Sequence, residues 1–137
     1  MNTVSPLNEE YELDENVIIS QTDLDGVITY TNRAFSKASG YDANELTGVK
    51  HNIIRHPDMP TSVFEKLWST ITGGRAWNGL IKNLRKDGLF YWVDIEILPT
   101  KDSDDKLTGY ISVSKPASRK NIQENEEVYK KMLEAQN

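Results

Sequence analysis

At Gly73-Gly74 the hydrophobic pattern of this chain changes period, and that change limits the fold more than any other feature. Before it, Val63, Phe64, Leu67, Trp68 and Ile71 fall at helical spacing, which predicts a helix over 61–72. After it, Tyr91, Val93, Ile95 and Ile97 alternate with Trp92, Asp94 and Glu96, the period of a strand with two different faces. Trp77 to Arg85 reads as the preceding strand, with Lys86-Asp87-Gly88 as the turn between them. Pro99 to Lys106 is expected as a polar loop, and Gly109 to Ser114 as a last strand. A chain that is helical first and then three strands long must pack its helices across one face of a sheet.

Upstream, Val17-Ile18-Ile19 and Val27-Ile28-Thr29-Tyr30 flank a turn at Thr22 to Gly26, so a hairpin is expected. Asn32 stands where a strand gives way to a helix and is suited to cap it; Gly40 ends that helix. Asp42 with Glu45 three residues later starts another short helix, which Gly48 stops. Three parts follow: an acidic arm over 1–16, a folded domain over 17–116 and an amphipathic helix over 117–137. The helix is either a connector toward a further domain or an element folded back on its own. The fold class is α+β: a five-stranded antiparallel sheet with short helices on one face.

The ten residues His51-Asn52-Ile53-Ile54-Arg55-His56-Pro57-Asp58-Met59-Pro60 gather both histidines and two of the five prolines. Pro57 and Pro60 bias the residues before them away from helix, so Arg55, His56 and Asp58 lie on a constrained connector into the helix at 61. Free N–H groups at such a start favour an anion. The plainer reading is a structural corner with Asp58 as the cap.

With no cysteine, the 137-residue chain can form neither disulfides nor a cysteinyl bond to a cofactor, which suits a cytoplasmic setting. No apolar run approaches the roughly 18 residues of a spanning helix. A net charge of −5 argues against nucleic acid as a partner. Residues 75–86 carry Arg75, Lys82, Arg85 and Lys86 without an acid: a local anion site or a solvated strand edge. There is no Ser/His/Asp order, metal spacing or phosphate loop, so an enzyme is not expected.

Thr22-Asp23-Leu24, Ser39-Gly40-Tyr41, the run HNIIRHPDMP, Trp77-Asn78-Gly79, Lys82-Asn83, Tyr91-Trp92-Val93 and Ser112-Val113 resemble a PAS sensory domain. They come close to the N-terminal PAS domain of bacterial aerotaxis receptors, of the methyl-accepting chemotaxis protein family, and cover roughly residues 17–115. The resemblance implies a cytoplasmic sensor that holds FAD non-covalently and reports its redox state to a chemotaxis signalling domain of the same longer receptor. It implies that Asn32, Arg55, His56, Asp58, Trp77 and Asn83 form or support the flavin site.

Those residue types suit the task. An amide such as Asn83 both donates and accepts, and can follow a ring whose hydrogen bonding changes on reduction. Asn is disfavoured in strands, which points to a local purpose. On a period-2 count Asn83 shares a face with Ile81 and with Gly79, where a flat ring could approach, while Lys82 and Leu84 point outward. Trp77 could stack on a ring, whereas Trp68 and Trp92 read as core or sheet-face packing. Arg55 could pair with a phosphate, with Asp58, or with both. A haem sensor would have to use His51 or His56 as its axial ligand. A cofactor-free or small-ligand interaction module that forms a homodimer is the other alternative.

Overall fold

The computed structural model describes residues 4–136. The first three residues of the expected arm and Asn137 of the expected tail lie outside them. Five strands form one antiparallel sheet in the order β2-β1-β5-β4-β3, with β1 Ile18–Thr22, β2 Ile28–Thr31, β3 Trp77–Leu84, β4 Phe90–Lys101 and β5 Leu107–Pro116. Three helices, α1 Arg33–Ser39, α2 Ala43–Leu46 and α3 Thr61–Thr72, lie between the hairpin β1–β2 and strand β3. A 3₁₀ turn, His51–Ile54, interrupts them.

The helix boundaries follow from local chemistry. Asn32 Oδ1 accepts from the Phe35 N–H at 3.0 Å and from the Ile19 N–H at 3.1 Å. Its amide donates to the Val17 carbonyl at 2.9 Å, so one side chain caps α1 and ties it to β1. The Glu45 carboxylate accepts the Asp42 N–H at 2.8 Å at the start of α2.

Strand β4 runs further than its sequence suggests. Pro99, Thr100 and Lys101 pair with Tyr110, Gly109 and Leu107, leaving a loop of only 102–106. Pairing with β3 ends at Ile97, so beyond it β4 is an edge, where a proline is tolerated.

The core lies between the sheet's inner face and α1–α3, and includes Ile28, Phe35, Leu46, Leu67, Ile71, Tyr91 and Val93. A second cluster lies on the outer face, where α4, Arg119–Gln136, folds back over β3 and β4. There the Tyr129 ring stacks on Trp92 at 6.1 Å, and its hydroxyl donates to the Leu80 carbonyl at 2.7 Å. Trp92, which alternation places beside Asp94 and Glu96, is therefore only 4% exposed. The far end of α4 reaches the start of α3: Gln136 Oε1 accepts from the Thr61 N–H at 3.1 Å. The arm runs beside the start of β4, with the Tyr11 N–H donating to the Phe90 carbonyl at 2.8 Å. Glu10 pairs with Arg119 of α4.

Candidate functional site

Between the sheet and α3 the chain encloses a cavity of about 390 Å³, within the roughly 300–1,000 Å³ range of small-molecule sites. Ile81 and Asn83 of β3, Ile95 and Ile97 of β4, and Tyr110 and Ser112 of β5 form one wall. Phe64, Leu67, Trp68 and Ile71 of α3 face them, and His51, Ile54 and Arg55 close a third side. The lining residues Asp25, Lys50 and Asn52 are exposed, which marks the mouth. Gly26 has a φ of 81°, and a side chain there would meet the Trp68 ring at 3.1 Å.

The α3 stripe that predicted the helix thus does two jobs. Leu67 and Ile71 are buried in the core, while Phe64 and Trp68 are half-buried and present their rings to the cavity. Trp68 meets Tyr110 edge-on at 5.8 Å. Trp68 packs against the core as expected and, in addition, forms part of the cavity wall. Helical spacing alone cannot tell a stripe facing side chains from one facing space.

Of the six residues the resemblance singled out, Arg55 and Asn83 line the cavity, and the two are bridged through their backbones. The Arg55 guanidinium lies 3.8 Å from the centroid of the Phe64 ring. No carboxylate pairs with it among the described residues, and burial lowers its pKa. Asp58 is not its partner: Asp58 Oδ2 takes the Lys82 ammonium at 2.9 Å instead. That pair holds Lys82 over Phe90, 4.3 Å from the ring centroid, so Lys82 is buried rather than outward, as is Leu84.

Asn32, His56, Asp58 and Trp77 are absent from the cavity lining. The Asn32 amide is engaged at the α1 cap, where its oxygen accepts two backbone N–H groups and its nitrogen donates to the Val17 carbonyl. His56 is 3% exposed, and its Nδ1 accepts from the Asp58 N–H at 3.0 Å, which needs a neutral ring. Burial, with Lys82 nearby, lowers its pKa to about 4. His56 therefore braces the RHPDMP corner. The Trp77 ring lies over Gly79, where an added Cβ would meet it at 2.5 Å, so the space expected for a ligand ring holds this indole. Asp58 does not cap α3, whose first N–H is taken by Gln136.

The basic run over 75–86 does not converge on one place. Lys82 serves Asp58, Lys86 serves Glu45 at 2.6 Å, and Arg85 serves Asp87 and the Lys37 and Ala38 carbonyls. His51, by contrast, lines the cavity, with Nε2 3.2 Å from Ser20 Oγ, and burial lowers its pKa to about 4. A signal for it was present in the sequence, since it opens the histidine-rich run.

The fold and this cavity define the class. The PAS fold profile matches residues 28–114, and the chain belongs to that family. It is 40% identical over 117 residues to the aerotaxis receptor of Escherichia coli (strain K12), a match covering 85% of this chain and 23% of the receptor. It is 30% identical over 103 residues to a nitrogen fixation regulatory protein of Klebsiella pneumoniae, covering 75% and 21% respectively. The chain thus spans under a quarter of the length of these relatives. A solved structure reported as "Flavin Analogue Sheds Light on Light-Oxygen-Voltage Domain Mechanism" superposes with a TM-score of 0.69 at 25% identity, covering 82% of this chain and 87% of that one.

Proposed function

We propose that this PAS domain binds FAD non-covalently in the cavity and reports the flavin's redox state to an output domain of a longer receptor. The observation that carries the reading is the donor set. Aliphatic and aromatic walls suit a flat ring, an amide at Asn83 can follow a change in its hydrogen bonding, and Arg55 offers a cation without a carboxylate partner among the described residues. The E. coli relative's name, aerotaxis receptor, supports the same direction. Bound flavin would supply reversible electron transfer. Arg55, with Lys50 at the mouth, would hold the diphosphate, while Trp68 and Ile81 would hold the ring out of water. Asn32, His56, Asp58 and Trp77 would support the site by fixing the hairpin, the corner and the start of β3.

Signal would leave through the sheet. Asn83 faces Tyr91, its register partner on β4, and the outer face of β3–β4 carries α4. Haem fits less well, because His51 Nε2 is engaged by Ser20 and His56 lies away from the cavity. An absorption spectrum of the purified protein tests the proposal. A flavin pair of bands released as FAD supports it; a Soret band, or no uptake of added FAD, refutes it.

A further inference from the structure

Strand β5 places serines at two alternate positions, Ser112 and Ser114, and both are buried on the inner face of the sheet. Ser20 of β1 is the register partner of Ser112 and is buried on the same face. Apolar side chains would be expected on the core side of two central strands. Buried hydroxyls persist there only with hydrogen-bond partners. Ser20 has one in His51 Nε2 at 3.2 Å. The Ser112 and Ser114 hydroxyls have no protein partner among the described residues.

These serines face a second, much smaller void of about 10 Å³, lined also by His51, Asn83 and Tyr91. His51, Asn83 and Ser112 line the large cavity as well, so they separate the two spaces. A polar void needs roughly 10–15 Å³ of this kind to hold a water, which then makes about three hydrogen bonds. Its remaining walls are apolar: Ile54 and Ile95, shared with the large cavity, and Ile18, Phe35 and Val93 on the core side.

We infer that the void is a binding site for one water molecule, which bridges the Ser112 and Ser114 hydroxyls to the Asn83–Tyr91 pair. The water gives each serine the partner the protein does not provide. It also gives the Asn83 amide a neighbour that donates as readily as it accepts. If Asn83 reverses its bonding toward the cavity, this neighbour reverses with it, and Tyr91 and β5 sense the change. That last consequence rests on the flavin reading; the water itself does not.

The test uses cofactor-free protein, so its outcome is separable from flavin binding. A crystal structure should show one water within hydrogen-bonding distance of Ser114 and of at least one of Ser112, Asn83 and Tyr91. Water-to-protein NOEs to the Tyr91 ring should show it in solution. Ser114→Val should remove both signals, while Ser114→Thr, which keeps the hydroxyl, controls for misfolding and should retain the NOE. A dry or collapsed void in the wild-type protein, or an NOE unchanged in a folded Ser114→Val variant, overturns the inference. The functional consequence is read separately in FAD-loaded protein: Ser114→Val should still bind FAD but lose any redox-linked shift of the Tyr91 resonances. A shift that persists overturns the water's role in sensing.

Discussion

Replacing Arg55 with alanine separates the anion from the ring in the proposed ligand. The guanidinium lies on the Phe64 face at 3.8 Å and has no acidic partner among the described residues, so deletion leaves no orphaned carboxylate there to complicate the result. The intramolecular loss is one cation–π contact, about 0.5–1 kcal/mol at a partly exposed site. Toward a diphosphate, one charged hydrogen bond is worth roughly 1.5–3 kcal/mol, or about 10- to 150-fold in affinity. Riboflavin has the ring but no phosphate, so its affinity should fall only a few-fold. Titration of apo wild type and Arg55→Ala with both ligands, followed by flavin fluorescence quenching, gives a ratio in which general loosening cancels. The FAD loss should exceed the riboflavin loss at least tenfold. Equal losses would show that Arg55 only packs against Phe64; no loss at all would remove it from the site. Lys50→Ala should cost less, because its ammonium already donates to the Asp25 carbonyl at 2.9 Å.

Two other expectations follow from simpler chemistry. With no cysteine in the chain, blue light cannot produce a flavin–cysteine bond, so illuminating the FAD-loaded protein should give bleaching or radical signals only; a reversible loss of the main band with an adduct-like spectrum would contradict this. Both histidines have folded-state pKa values of about 4, below the ordinary 6.5, so the unfolded chain takes up protons first as pH falls. Stability should be full above about pH 6.5 and decline toward pH 4, each histidine adding up to ~1.4 kcal/mol per pH unit to the slope. Urea midpoints for wild type and His51→Gln across that range check it, and equal slopes would show that His51 is not held neutral.

The fold was legible because period and punctuation are local. The switch at Gly73-Gly74, the Asn32 cap and the hairpin turn each act within a few residues, and the sheet with its helices follows. What was not legible depends on neighbours distant in sequence. Trp92 alternates with acids yet is buried, because Tyr129, 37 positions away, stacks on it. Asp58 could cap a helix or pair with Arg55 on spacing alone; Lys82, 24 positions on, takes it instead. The cavity itself is invisible in a pattern of apolar residues, since Phe64 and Trp68 carry the same signature whether they meet side chains or space.

Asn83 is where the sequence reading and the geometry meet, so its replacement is the sharpest test of how redox state leaves the cavity. Its side chain lines the cavity, and Tyr91 stands directly opposite it on β4. Reversing that amide exchanges hydrogen bonds worth about 0.5–1.5 kcal/mol, enough for a several-fold shift between two states but not for a complete switch. Further contacts must add to it, and β4 and β5 are the strands placed to supply them through Tyr91 and its neighbours. Asn83→Asp would add a charge and confuse binding with signalling, whereas Asn83→Ser stays polar and only shortens the reach. The variant should retain FAD, because the walls of Ile81, Leu67 and Trp68 remain. Hydrogen exchange over residues 90–98 and 109–114 should then no longer differ between oxidised and reduced protein, although it differs in wild type. Should that difference survive in a flavin-loaded Asn83→Ser variant, the change leaves the cavity by another route, and Asn83 holds the ring without reading it.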